Sequence, residues 1–359
     1  MTAAARPPRL ASVDALRGLT VAAMLLVNDP GDWGHVYAPL LHSEWNGCTP
    51  TDLVFPFFLF IVGVSIALGV APRVDAGADL HGIRRAVLVR AARIAGLGLL
   101  LNLLAFWLLD RPEFRPWGVL QRIGVCFLAA GCVATWLRPR AQWALLAALL
   151  LGYGVLLAAS GGTAPWTNLA SRVDTALLGP HVYQFDAASG RGHDPEGLLS
   201  TLPALASVLL GLRAGDWLRH GRSTRLLGAG FALLVLGALV ACVQPMNKNL
   251  WTPAYALWTA GWGALALWLA HRWVDVRGWP PLGRSFGVNA ITAYAGSEAM
   301  MIVLMGLGWL EPLYRVGFAG WMTPRFGPYL PSLAFAVVFT ALWWGVVRWM
   351  DRRGLYLKL

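Results

Sequence analysis

Charge is what this chain of 359 residues is short of: Asp, Glu, Lys and Arg make up 13% of it, against 57% hydrophobic residues. At a mean hydropathy of +0.57, so much apolar surface does not fit inside a soluble core of this size, which excludes a soluble globular protein. Cysteine is scarce as well. Cys48, Cys126, Cys132 and Cys242 are the whole set, and their spacing supports neither a disulfide framework nor a metal site, so no metal is expected. Internal repeats and a soluble domain are also missing, so residues 1–359 read as one membrane domain. The lack of repeats weighs against a transporter, many of which are built from paired repeats with broken helices. Strictly alternating segments of about ten residues are absent too, and with them a transmembrane barrel.

What the sequence does contain is a series of apolar runs of about 17 to 25 residues, the length a helix needs to cross roughly 30 Å of hydrocarbon. The expected fold is an all-α, polytopic membrane bundle of about ten helices. The spans are placed near 14–30, 52–71, 86–109, 118–137, 141–160, 197–218, 225–243, 251–270, 286–308 and 329–350. The stretch Thr2 to Pro8 and the run after it carry no cleavable signal pattern. With the N-terminus inside, 21 of the 29 Lys and Arg fall on the cytoplasmic side, from Arg6 to Lys358, and eight on the other. The positive-inside rule then puts both termini in the cytoplasm. The net charge of +11 is accordingly a topology signal spread over short loops, and nucleic acid is not an expected partner; the lipid bilayer is. Many of the nineteen tryptophans, among them Trp33, Trp45, Trp107, Trp117, Trp251 and Trp279, fall near span ends as interfacial anchors do.

Polar residues concentrate at the outer side. His42, Asn46, Thr49 and Asp52 lie just before the second span. Thr49, Pro50 and Asp52 have the order of a capping box that opens a helix, and a carboxylate at Asp52 also suits the orientation of a nearby imidazole. Histidine is the side chain matched to proton removal near neutrality, which makes His42 a candidate base, with a surface or packing role as the alternative. Asn28 ends the first span on the same side, placed either as an ordinary polar terminus or as a donor to a developing oxyanion. Gln121 and Arg122 open the fourth span, and Asn289 and Glu298 lie in the ninth. Polar groups at membrane depth face a cavity or a partner; Arg122 could meet Glu298 in a structural ion pair or help line a polar cavity. Cys48 reads as a packing residue or a nucleophile. The longest outer loop, about 161–196, brings aromatic and hydrogen-bonding groups that suit a sugar-like ligand, or serves as a solvated connector. On the inner side Arg84, Arg85, Arg90 and Arg93 recur along one helix start, as topogenic charge or as partners for phosphates.

Taken together, several motifs resemble the bacterial form of the heparan-alpha-glucosaminide N-acetyltransferase family. They are Ser12-Val-Asp-Ala-Leu-Arg17-Gly, Val27-Asn28, His42-Ser-Glu-Trp45-Asn46-Gly47, and Asp52-Leu-Val-Phe-Pro56 running on to Gly63. Gly118-Val-Leu-Gln121-Arg122-Ile-Gly124, Asp194-Pro-Glu196-Gly197 and Asn289 follow in the same order. The resemblance implies a membrane acyltransferase that takes acetyl-CoA from the cytoplasm and acetylates the amine of a glucosamine-type sugar on the periplasmic side of a bacterial inner membrane. His42 would be its active-site histidine and Asn28 its catalytic asparagine, with Asp52 orienting His42. Trp45, Asn46, Gln121, Arg122, Asp194, Glu196, Asn289 and Glu298 are expected around the acceptor, and Arg84, Arg85, Arg90 and Arg93 around the CoA phosphates. The family also implies a homodimer. The large luminal domain and extra first span of the animal lysosomal enzymes are not found in this sequence, so no heparan acceptor is assumed. Two alternatives remain open: a transporter or flippase of a polar or lipid-linked sugar, and an envelope polysaccharide O-acetyltransferase.

Overall fold

The computed structural model describes residues 10–357. Thr2 to Pro8, and Arg6, Arg9 and Lys358 of the charge count, lie outside the described residues. The chain runs through α1 (Ala11–Asn28), α2 (Val54–Gly69), α3 (Ala71–Asp75), α4 (Leu80–Leu108), α5 (Val119–Trp136) and α6 (Pro139–Ala159). A short helix α7 (Leu169–Leu178) and an antiparallel pair, β1 (Gln184–Asp186) with β2 (Arg191–His193), fill the long loop. Then come α8 (Thr201–Arg219), α9 (Thr224–Ala241), α10 (Pro253–Ala270), α11 (Arg284–Val288), α12 (Ala290–Gly306), α13 (Leu310–Tyr314), α14 (Gly320–Phe326) and α15 (Tyr329–Arg352).

A helix occupies each of the ten expected spans, but only seven are long and apolar enough on their own to cross a bilayer: α1, the stretch Thr51–Asp75, α4, α5, α6, α9 and α15. The difference at α8 has a physical cause. It carries Arg213, Asp216 and Arg219 yet is buried along most of its length, and a helix shielded from lipid by its neighbours need not be apolar all round. α10 is similarly enclosed. At α12 the helix is cut at Asn289 and bends by 101° into the segment Leu310–Phe326, which the sequence reading leaves as a loop; counted as one broken span it makes eight.

Small residues allow the closest helix approaches. Gly63 on α2 and Gly211 on α8 face each other's backbone so tightly that a Cβ at either would overlap a carbonyl, and Gly18 and Gly287 do the same for α1 and α11. Such seams let membrane helices gain dispersion contact where lipid supplies no hydrophobic drive between them. Several starts are set locally: Asp79 caps α4 through His81 N and Gly82 N, Asn168 caps α7 through Ser171 N, and Pro139 and Pro253 occupy first-turn positions of α6 and α10.

The beginning of α1 and the end of α15 share one end of the bundle. There Ser12 bonds Asp275, Arg17 holds Asp14 and the Gly287 carbonyl, and Arg284 and Ser285 bond Asp351. The long loop, the α1–α2 connection and the α9–α10 connection gather at the other end.

Candidate active site

At that second end a cavity of about 800 Å³ opens between α1, α2, α4, α5 and α12 under the long loop. His42, Asn28, Trp45, Gln121, Glu196 and Glu298 all line it, with Lys248, Arg115, Asn102, His193 and Trp166. Behind it, toward the opposite end, lies a separate pocket of about 20 Å³, room for one water. The two share Met24, Phe55, Val119, Leu120 and Tyr294, and the pocket continues one turn further to Phe58, Ile94, Ile123 and Ile291. A chamber with charged and polar groups in its wall is therefore backed by an apolar throat.

The 3-10 turn Thr51–Leu53 that leads into α2 builds the centre. Asp52 N faces Thr49 Oγ1 at 3.4 Å while Thr49 N donates to Asp52 Oδ2 at 3.0 Å, the reciprocal pattern of a capping box. Ser43 N and Thr49 Oγ1 also donate to Oδ2. That leaves Oδ1 for His42 Nδ1, 2.7 Å away. The Asp52 side chain is fully buried and that of His42 is 40% exposed, so the carboxylate is a fixed anchor and the ring reaches into the cavity. Because Nδ1 faces an acceptor, it carries the proton, and Nε2 holds the lone pair. Both readings of Asp52 hold together: one oxygen caps the turn and the other orients the imidazole.

Lys248, which the sequence reading passes over, places Nζ 3.0 Å from both ring nitrogens of His42 and 3.8 Å from Asp52 Oδ1. Burial pulls its pKa down from the ordinary lysine value, and Asp52 and Glu196 oppose that pull. A signal was available: it is one of two lysines in the chain and a cation on the side where cations are few. Cys48, by contrast, does not line the cavity. Burial, helped by Asp52, pushes its thiol up to about 12, so no thiolate forms near neutrality.

A second charged cluster forms the wall below the long loop. Arg115 Nε and Nη2 meet both oxygens of Asp194 at 2.9 and 2.5 Å, and Nη2 meets Glu196 Oε2 at 2.7 Å. Burial opposes the charge on Arg115, but Glu196 and Asp194 outweigh it and hold the guanidinium above its ordinary pKa. Asp194 also accepts from Tyr183 N, and Trp117 Nε1 donates to the Glu196 carbonyl at 2.5 Å. His193 is buried, bonded to Ser171 at 3.1 Å and set edge-on to Trp45 at 5.0 Å. Burial lowers its pKa to about 4, which keeps it neutral. Trp45 is fixed in turn by its indole N–H on the Thr163 carbonyl at 2.8 Å.

The remaining sequence candidates divide. Arg122 does not pair with Glu298: it is fully buried, donates to the Gly197 carbonyl and Ser200 Oγ, and lies over the Trp251 ring, locking α5 to α8. Asn46 is exposed, does not line the cavity and accepts from Asn247 Nδ2 at 3.1 Å. Asp194 serves the site through Arg115 and does not line the cavity. Asn289 is buried at the α11–α12 break, away from the cavity. None of Arg84, Arg85, Arg90 and Arg93 lines the chamber or its throat. Arg84 bonds Thr135 and lies over Trp136, Arg90 lies over Phe127, and Arg85 and Arg93 are exposed.

A base held by a carboxylate, a cation beside it, an amide at a helix end and indole faces around an open chamber are the equipment of acyl transfer to a polar acceptor. Comparison with known proteins points the same way. Residues 9–243 match the family model described as heparan-alpha-glucosaminide N-acetyltransferase, catalytic. The chain is 29% identical over 358 residues to the heparan-alpha-glucosaminide N-acetyltransferase of Homo sapiens, covering 82% of this chain and 53% of that protein. To the Mus musculus enzyme of the same name it is 28% identical over 362 residues, covering 81% and 54%. The chain thus spans about half the length of these curated relatives. The family model covers Asn28, His42, Asp52 and Glu196 but stops before Lys248. With the match extending over more than half of its residues, this chain, a multi-pass membrane protein, belongs to the heparan-alpha-glucosaminide N-acetyltransferase family.

Proposed function

We propose that the protein transfers an acetyl group from acetyl-CoA to the amine of a glucosamine-type sugar, across the membrane in which it sits. The observation that carries this reading is His42, braced by Asp52 at 2.7 Å and presented to a cavity that Asn28 also lines. His42 Nε2 removes a proton from the acceptor nitrogen as it attacks the thioester carbonyl, and the Asn28 amide donates to the oxygen that gains charge. Trp45 and Trp166 offer flat faces, and Glu196, Asn249 and Gln184 hydrogen-bonding edges, suited to a sugar at the cavity mouth.

The acetyl donor enters from the opposite, arginine-rich end. The apolar side chains between α1, α2, α4, α5 and α12 leave room for one water, too little for a pantetheine arm or a sugar, so donor entry along this path requires them to part. In this arrangement the arginine-rich end is cytoplasmic, both termini lie there, and the sugar is acetylated in the periplasm of a bacterial inner membrane. The exposed Arg85 and Arg93 stand on the side from which the CoA phosphates arrive. Two copies associate as a homodimer in this reading, each with its own cavity.

Purified protein supplied with labelled acetyl-CoA and glucosamine tests the reading. Label in N-acetylglucosamine, reduced by about 10²-fold or more in His42→Ala, is the expected result. Undiminished transfer by that variant removes the role of His42. An ester product in place of an amide makes the enzyme an O-acetyltransferase, and saturable sugar uptake into donor-free vesicles makes it a transporter.

A further inference from the structure

Lys248 is not explained by structure alone. Its neighbours hold the α9–α10 connection without it. Asn247 N donates to Thr252 Oγ1, Leu250 N donates to Asn247 Oδ1, Asn247 Nδ2 donates to Asn46, and Gly47 N donates to the Met246 carbonyl. Trp251, buried with φ of 51°, anchors the turn through Nε1 on Ser207. A non-glycine residue held at positive φ costs energy, so this backbone is over-determined and aims the lysine inward.

The ammonium is not needed as a salt-bridge partner either. Asp52 already accepts from Ser43 N, Thr49 N, Thr49 Oγ1 and His42 Nδ1. Lys248 stands 3.8 Å from it, well beyond the 2.7–2.9 Å of a charge-assisted hydrogen bond. The charged and titratable groups around it are His42, Asp52, Glu196, Cys48 and Arg122. Of these, the imidazole is the one it touches. An ammonium carries three donors; it lies against the His42 ring, 3.0 Å from Nε2 and 3.0 Å from Nδ1, and the side chain borders the cavity.

We propose that Lys248 is a catalytic residue of this transfer: its ammonium rests against the His42 ring while the site is empty and moves to the acyl oxygen when the acceptor takes its place. The inference rests on the acetyl-transfer reading. In the step, the acceptor nitrogen bonds to the thioester carbonyl carbon, the carbonyl π pair passes to oxygen, and His42 takes the amine proton. The oxyanion then faces the Lys248 ammonium. On collapse the oxygen pair re-forms the carbonyl, the C–S bond breaks, and the imidazolium returns the proton to the leaving thiolate. A cation 3.0 Å from the nitrogen that accepts the proton is also close to the oxygen on the tetrahedral carbon being formed there. In a cavity walled by protein such a charge acts far more strongly than in water.

The experiment compares Lys248→Met, Lys248→Gln and Lys248→Arg with wild type, following thiol release on addition of glucosamine and, separately, the binding of CoA. Lys248→Met and Lys248→Gln are expected to lower kcat by about 10²–10³-fold with CoA binding unchanged within about twofold. Lys248→Arg, which keeps the charge, is expected to stay within about tenfold of wild type. Loss of kcat under tenfold in Lys248→Gln, or equal losses in the Gln and Arg variants, overturns the proposal, since a packing role does not distinguish charge. Should the Met variant fail to fold, the Gln and Arg pair decides. A wild type that releases no thiol with any amino sugar removes the acetyl-transfer reading and this role with it, whereas an active wild type matched by Lys248→Gln removes this role alone.

Discussion

Arg115, Asp194 and Glu196 close on one another below the long loop, whereas His42, Asp52 and Lys248, in the wall of the same cavity, leave a face open. The first cluster is one guanidinium spread over two carboxylates at 2.5 to 2.9 Å, with Asp194 fully buried and Glu196 nearly so. The second has a saturated carboxylate, a ring turned outward and an ammonium that meets its anion only at 3.8 Å. The same residue types thus do two jobs. Where every donor finds its acceptor, the cluster holds the loop to the bundle. Where a lone pair and a cation are left facing a cavity, the cluster has valence to spend on a ligand.

Substitution separates the two. Arg115→Met breaks the closed cluster and strands two buried carboxylates, so it should cost about 3–5 kcal/mol of stability. That would appear as a large drop in thermal midpoint in detergent, with little protein recovered. If the midpoint holds, the cluster is not the clamp described. Asp52→Asn acts on the open cluster. The amide loses the ionic anchor of His42, and transfer should fall by about 10²-fold. The damage to the helix start should stay near 1 kcal/mol, since the side-chain carbonyl of Asn can still accept from Thr49 N. A variant that loses the fold along with the activity makes Asp52 chiefly structural.

The smallest effect concerns His193, which lies between the two. Its folded value of about 4 is below the ordinary histidine value of 6.5 because burial disfavours the charged ring. Between those limits the unfolded chain binds a proton that the folded chain refuses, so stability present above pH 6.5 is lost progressively as the pH falls to about 4. The thermal midpoint should drop by several degrees across that window, and His193→Gln should flatten the slope. An unchanged slope in the variant would assign the acid sensitivity to other groups.

How much of this could be read in advance depends on the range of the interaction. The ten helical segments follow from apolar runs, a property of neighbours in sequence. The apolarity that marks a span was misleading for α8, whose Arg213, Asp216 and Arg219 are tolerated because other helices enclose it, and for the bent segment after α12, where length alone fails to define a span. His42 and Asp52 were legible because ten residues and one capping turn bring them together. Lys248 was not, since 206 residues separate it from His42. Nor was the fate of Arg122, whose partners on the far side of the α5–α8 seam lie 75 and 78 residues on.

By itself, then, the sequence determined the class of protein, its membrane setting, the helix that carries Asp52 and the histidine beside it. These depend on composition and short-range pattern, which the solvent reads directly as hydropathy and capping. Only the tertiary structure decided which polar residues share a cavity and which are spent in holding helices together. A buried charge is defined by the partners that replace its water, and those come from parts of the chain that no local pattern connects.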